Sequence, residues 1–251
     1  VSVIARRDGV FDDHQAAILA SSDSVHWWFA SKAAIVKDLL DRFAGDQDGP
    51  IVDIGAGAGG VTERLRGAGL DPVAVEGSGE LSRACRARGL PVVRAVTAGL
   101  PLATSSASAV TLLDVIEHLD DPVPSLREAR RILKPGGVLV VSVPAHGWLW
   151  SDADAALGHV KRYNRALLRR ELRCADLDPI WCSHVFSWLV PPVWAARKAA
   201  RRSPDEQLGL DVDGAAIRSI ARVLTAAELR LVGRVGLPLG TSVAAVARRE
   251  N

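Results

Sequence analysis

The sequence predicts an α/β fold: a mostly parallel sheet with helices on both faces. Three observations carry this. Short apolar runs alternate with stretches of helical spacing from residue 51 to 143, the pattern of strands joined by crossover helices. Two of those runs, 108–114 and 138–143, are almost wholly apolar, as strands covered on both faces must be. A glycine turn, Gly55-Ala-Gly-Ala-Gly-Gly60, joins the first run to the first helix after it.

Taken in order, residues 1–50 read as an N-terminal helical lid. His26-Trp27-Trp28-Phe29 concentrates aromatic side chains there, and His26 and Trp28 are candidates to cover a site. Ser31 is placed to cap a helix whose apolar face is Ile35, Val36, Leu39, Leu40 and Phe43. Strands follow at 51–54, 72–76, 91–96, 108–114 and 138–143, with helices at 61–66, 81–88 and 123–133. Lys134-Pro-Gly-Gly137 reads as a helix stop. Asn164 can cap a helix through Leu167, Leu168, Glu171 and Leu172. Residues 180–186 and 241–247 read as the sixth and seventh strands. Between them, 187–240 is too long for a plain hairpin loop and reads as a helical insertion.

The glycine stretch fits two ligands. Gly55, Gly57 and Gly60 match G-x-G-x-x-G, the dinucleotide pattern, while Gly55, Gly57 and Gly59 match D-x-G-x-G-x-G headed by Asp53. A carboxylate at a strand end would repel a pyrophosphate, which seeks positive potential. It would suit a ligand carrying an ammonium and a sulfonium, as S-adenosylmethionine (SAM) does. On this reading Asp53→Ala abolishes SAM binding. Glu76, 23 residues beyond Asp53, is placed to accept hydrogen bonds from ribose hydroxyls and serves either ligand. The ends of the first, second and fourth strands, at 53–55, Glu76 and Asp114, line one crevice.

Asp53-Ile-Gly-Ala-Gly-Ala-Gly59, Glu76, Leu100-Pro101, Leu113-Asp-Val-Ile-Glu-His-Leu-Asp-Asp-Pro122 and Leu133-Lys-Pro-Gly-Gly137 together resemble the class I SAM-dependent methyltransferases of type 11 or 23. The resemblance implies a Rossmann-like, seven-stranded, mostly parallel sheet whose last strand is antiparallel, with the helical insertion before it. It implies a SAM-binding core at 51–186, a cap at 187–240 and the last strand within 241–251. Asp53, Gly55, Ala56, Gly57 and Gly59 would surround the methionine part of SAM, and Glu76 and Gly77 the ribose. Val96 and Thr97 would lie at the adenine, and Asp114 and Val115 at the amino-acid end. Relatives often carry an acid four residues before the Leu-Pro pair, where this chain has Val96.

The acceptor side reads from 144–165, which leaves the carboxyl end of the fifth strand. His159 and His146 are the candidates for a base that takes an acceptor proton, with Asp154 orienting one of them or binding a hydroxyl. His118, Trp148, Trp150, Asp152, Arg162 and Tyr163, with His26 and Trp28, are candidate acceptor contacts. No metal ligand set is assigned, because Asp152 and Asp154 with a histidine lack a diagnostic spacing. Ten basic and three acidic residues lie between His159 and Arg202. The apolar start of the insertion followed by Arg197, Lys198, Arg201 and Arg202 makes 188–202 a candidate for peripheral contact with an anionic membrane or a lipid-linked acceptor.

The expected function is methyl transfer from SAM to a small or glycan-like acceptor, first of all O-methylation of a sugar hydroxyl. C- or N-methylation of a quinone-like or natural-product acceptor is the alternative. An NAD-dependent oxidoreductase is disfavoured by Asp53, and a SAM-binding protein without catalysis is the third class. Nucleic acid is not an expected partner: no N/D-P-P-Y/F motif follows the fourth strand, and net charge is only +2. Cys85, Cys174 and Cys182 lack metal-like spacing and read as reduced thiols of a cytoplasmic protein without a signal peptide.

Overall fold

A computed structural model describes residues 27–45, 48–200, 214–232 and 236–250, with the side chains of 196, 197, 199 and 200 left aside. His26, the rest of the leader before it, Arg201 and Arg202 lie outside the described residues.

The elements are α1 (Trp27–Phe43), β1 (Ile51–Ile54), α2 (Gly60–Gly67), β2 (Pro72–Glu76), α3 (Gly79–Ala87), β3 (Val92–Arg94), β4 (Ala107–Leu113), α4 (Val123–Ile132), β5 (Leu133–Pro144), α5 (Asp152–Ala156), α6 (Arg165–Cys174), β6 (Asp178–Val185), α7 (Val190–Ala200), α8 (Ala215–Val232) and β7 (Ser242–Arg248). They form one seven-stranded sheet in the order β3-β2-β1-β4-β5-β7-β6. The pairs among β1 to β5 are parallel, and β7 runs antiparallel to both its neighbours. The strand order therefore reverses between β1 and β4, and the carboxyl ends of these strands are where open α/β sheets form their ligand crevice.

Alternation along the strands builds two cores. Val52, Ile54, Val110, Leu112, Leu139 and Val141 face α4 and α6, where Leu126, Ile132, Leu168 and Leu172 are fully buried. Ile51, Ala109, Val138 and Val140 face the other way, onto Ile35, Val36, Leu39 and Leu40 of α1 and Val61 and Leu65 of α2. Helix α8 packs on this second face through Ala221. Buried Glu228 on α8 accepts the backbone N–H groups of Phe186 and Ser187, and so ties the insertion to the end of β6.

One local reading needs correction. Ser31 is not a cap: it is buried inside α1, which already runs from Trp27. The helix stop at Lys134-Pro-Gly-Gly137 is where α4 ends, at Ile132, and the same four residues already belong to β5. Leu133 pairs with Ala107, and an irregularity follows before Ala109 pairs with Val138. A Cβ on Gly137 would lie 2.9 Å from the Ser108 carbonyl oxygen, so glycine there admits a close strand approach. Asn164 does cap α6, its side-chain oxygen accepting from Leu167 N–H at 2.8 Å. The three cysteines are free thiols. Among the described residues no helix is long and apolar enough to cross a membrane.

Candidate active site

The crevice begins where β1 runs out. The N–H groups of Gly55 and Ala56 both donate to the Val75 carbonyl, at 2.8 and 3.1 Å, which curls the chain back over β2. Gly55, Gly57 and Gly59 all take positive φ, at 74°, 60° and 88°. A Cβ on Gly55 would sit 2.5 Å from Val115 Cγ2, and one on Gly59 would sit 2.6 Å from Leu90 Cδ1. On Gly57 it would meet nothing within 4 Å, so this turn presents bare backbone to the outside. Gly55→Ala is expected to cost about 1–3 kcal/mol in a urea titration, from left-handed strain plus the clash. Val115→Ala in the same chain should recover the clash part.

Glu76, at the end of β2, accepts the Gly57 N–H at 2.9 Å and the Ser78 N–H at 2.7 Å, one on each carboxylate oxygen. Burial pushes its carboxyl up, against the pull of those backbone donors. With the Gly77 N–H as a third donor, the four lone-pair sites of the carboxylate keep room for a further donor. Gly77 follows at the rim, and its carbonyl accepts from Arg94 Nε. Val96 is 38% exposed on the loop beyond β3, while the Thr97 hydroxyl shares a 2.7 Å hydrogen bond with Ser125 at the start of α4.

Asp53 does not point into the crevice. Its two oxygens accept hydroxyl hydrogen bonds from Thr111 and Thr62, each at 2.6 Å, and the residue is 2% exposed. It shares the face of Ile51, toward α1 and α2, and joins β1, β4 and α2. Burial raises its carboxyl pKa against the two hydroxyls and Lys32. The expectation that Asp53 touches an ammonium or sulfonium is therefore corrected. Asp53→Ala strands two buried hydroxyls and is expected to lose about 2–4 kcal/mol of stability, read from the denaturation midpoint.

Lys32 went unremarked in the sequence. It is 4% exposed, forms an ion pair with Asp114 at the end of β4, and lies 4.9 Å from the Trp28 ring. Burial pushes its ammonium down to about 7, against the pull of Glu117 and Asp53. The available signal was a lysine one turn before Ile35 and Val36, on the apolar stripe of α1. Asp114 has φ 54°, and Trp28 stacks on Phe186 at 4.5 Å.

The acceptor candidates divide into two groups. His159 Nδ1 lies 2.9 Å from Asp154 Oδ1, and Arg162 Nε donates to the same oxygen at 2.8 Å. The other Asp154 oxygen accepts the Ser151 N–H at 2.8 Å. Burial alone would raise the Asp154 carboxyl, yet the His159 and Arg162 bonds hold it below the usual carboxylate range. The His159 ring packs edge-on against His118 with centroids 4.9 Å apart. The backbone locks this meeting: Val160 N–H donates to the Glu117 carbonyl at 2.8 Å, and His118 Nδ1 lies 3.3 Å from the Gly158 carbonyl. Glu117 is fully buried, and its oxygens have no hydrogen-bond partner among the described residues beyond its own backbone N–H. Burial pushes its carboxyl up to about 8, against its own backbone N–H, Lys32 and Arg162. Glu117, His118 and His159 bring one donor atom each within 4.8 Å of one another. Sequence reasoning quoted Glu117 but gave it no role; an acid next to a histidine just after a buried strand was the signal.

His146 belongs to the other group. It stacks on His184 at 4.7 Å, packs beside Trp148, and has φ 58°. Burial lowers its pKa, helped by His184 and Arg162. Tyr163 is 1% exposed, with its hydroxyl on the Ile116 carbonyl, so it is a core residue and not an acceptor contact. Arg162 is likewise internal, bound to Asp154 and to the Ala145 carbonyl. Trp148 and Trp150 are 53% and 38% exposed, and Asp152 is exposed at the first turn of α5.

Residues 52–141 match the family described as a methyltransferase domain. The chain carries a class I SAM-dependent methyltransferase domain. An uncharacterized methyltransferase of Mycobacterium tuberculosis is 35% identical over 133 residues, which are 52% of this chain and 49% of that protein. The chain thus spans about half the length of the curated relatives it matches first. A ubiquinone biosynthesis O-methyltransferase of Xanthomonas oryzae is 32% identical over 99 residues, 37% of this chain and 41% of that protein. The solved structure of a Haloferax volcanii methyltransferase, in complex with its activator, superposes with a TM-score of 0.63 at 20% identity, covering 95% of this chain and 96% of that one. That likeness shows the fold.

SAM is the cofactor of the methyltransferase domain, and the crevice has the features SAM requires. Bare backbone at Gly57, a carboxylate with room for a further donor at Glu76, and Asp114 all lie at the carboxyl ends of β1, β2 and β4 or in the turns just after them, and Lys32 reaches Asp114 from α1.

Proposed function

We propose that the chain is an enzyme that transfers the methyl group of SAM to a hydroxyl oxygen of a small, ring-bearing acceptor. The observation that carries this reading is the Asp154–His159 pair, buried next to His118 and Glu117 in the segments that follow β4 and β5. When bound, SAM supplies a methyl carbon already activated by its sulfonium. Everything else falls to the chain's own residues. Glu76 accepts from the ribose hydroxyls, with Gly77 beside it. The backbone of residues 55–59 lies along the methionine part, including Ala56, and Val96 and Thr97 border the adenine. Lys32 and Asp114, with Val115 beside them, complement the carboxylate and ammonium of the amino-acid end.

Alignment of acceptor oxygen, methyl carbon and sulfur supplies much of the rate. A bound SAM would give its methyl carbon to the acceptor oxygen and keep the electron pair of the broken carbon–sulfur bond on sulfur. The hydroxyl proton passes to His159 Nε2, whose Nδ1–H is held by Asp154. Asp154 is thus a positioning residue. Trp148 and Trp150 present exposed faces on which a sugar or quinol ring could stack. The name of the Xanthomonas oryzae relative supports an oxygen acceptor. Helix α1, with Trp28, acts as the lid, and α7 and α8 as the cap. Trp194, 50% exposed with Lys198 Nζ 4.9 Å from its ring, supports contact of the cap with a lipid surface or a lipid-linked acceptor.

The test is to incubate the purified chain with SAM and a panel of sugar and quinol acceptors, then locate the new methyl group by mass spectrometry and NMR. A methyl ether is the expected product. A methyl on nitrogen or carbon would replace this reading with the corresponding N- or C-methyltransferase.

A further inference from the structure

We propose that Glu117, His118 and His159 form a binding site for one divalent transition-metal ion, placed to receive the acceptor's oxygen. The site is built from two segments, the turn after β4 and the stretch at residues 158–160 that follows α5. Those segments are fixed to each other by the Val160 N–H bond to the Glu117 carbonyl.

Three observations point the same way. First, donor atoms of the three side chains lie within 4.8 Å of one another, close enough to contract onto one ion. Second, both histidines have the outer partners that metal-ligating imidazoles use. Asp154 at 2.9 Å holds His159 Nδ1, and the Gly158 carbonyl at 3.3 Å holds His118 Nδ1. Each bond places the ring proton on Nδ1 and the lone pair on Nε2, the form in which imidazole binds a metal. Third, Glu117 is 0% exposed and its two oxygens have no hydrogen-bond partner among the described residues beyond the residue's own backbone N–H. A buried carboxylate without a direct ion pair is costly. Lys32 and Arg162 act on Glu117 only through space, and they are already bound to Asp114 and Asp154.

Two imidazoles and one carboxylate favour zinc, iron, cobalt or manganese over magnesium or calcium, which prefer all-oxygen shells. Three protein ligands leave coordination positions open for an acceptor hydroxyl. The ion would lower the pKa of that hydroxyl, so that its proton can leave to water. This part rests on the O-methyl transfer proposed above, and it assigns His159 Nε2 to the ion instead of to the proton.

Titrating the purified full chain with Co²⁺ alone, without SAM or acceptor, tests the site apart from the reaction. Visible d–d bands saturating at one ion per chain, displaced by Zn²⁺ and not by Mg²⁺, are expected. Glu117→Gln and His118→Ala should each weaken binding by at least about 100-fold, and Asp154→Asn by roughly 10–100-fold through the His159 ring. Absence of bands in the wild-type chain overturns the proposal, as do bands unchanged in Glu117→Gln. Should a variant fail to fold, X-ray absorption of the wild-type Co²⁺ complex must still show two imidazole ligands, and their absence overturns the site. In turnover assays a chelator should abolish methyl transfer and Zn²⁺ or Mn²⁺ restore it. Full activity in chelator would overturn the acceptor role even where Co²⁺ binds. Failure to bind Co²⁺ with intact methyl transfer would leave His159 as the base.

Discussion

Replacing His159 by alanine is expected to lower kcat by about 10²–10⁴-fold while SAM affinity stays within a factor of about two. The size is that of a lost proton acceptor in the transition state, or of a lost ligand to the ion that activates the hydroxyl. The separation of the two effects follows from the fold. His159 sits on the segment after β5, joined to Asp154, His118 and Glu117, whereas the glycine turn and Glu76 belong to β1 and β2. Asp154→Asn should reproduce part of the loss, because the amide still fills the space but holds the ring in the wrong tautomer. Calorimetry with SAM and steady-state kinetics with the acceptor read the two quantities independently. A His159→Ala chain that turns over normally would move proton removal to another group, with His146 next to be tried.

Glu76→Ala should weaken SAM binding by roughly 10²–10⁴-fold. Hydrogen bonds to a charged acceptor contribute about 1.5–3 kcal/mol each, and two ribose hydroxyls are at stake. The substitution also removes the acceptor of the Gly57 N–H and of the Ser78 N–H, so the glycine turn loses a support at the same time. Glu76→Gln keeps one carbonyl oxygen and should fall between the two. An affinity within a few-fold of wild type for Glu76→Ala would separate Glu76 from the ribose and leave it only the task of shaping the turn.

Asp53 shows where reading from sequence stops. An acid two residues before a glycine turn identified the right class of ligand, yet the carboxylate faces Thr62 and Thr111 and not the crevice. A strand buried on both faces carries no polar alternation to say which way one side chain points. The register supplies it: Asp53 shares the side of Ile51, while Val52 and Ile54 face α4. Tyr163 and Arg162 were drawn as acceptor contacts for the same reason. A polar segment near a site gives no sign of which members turn inward, and the bridge between Ala145 and Tyr163 turns these two in. The sheet was legible because its strands are continuous apolar runs punctuated by glycine, and the antiparallel β7 came with the family resemblance. The start of β5 was not legible, because glycine and proline mark a bulge and a loop with the same residues.

Titration calorimetry of the purified chain with SAM, its demethylated product and NAD in parallel tests the central claim most directly. The account predicts binding of SAM and of the product on the order of micromolar dissociation constants, with no heat from NAD. Binding of NAD without SAM would contradict it.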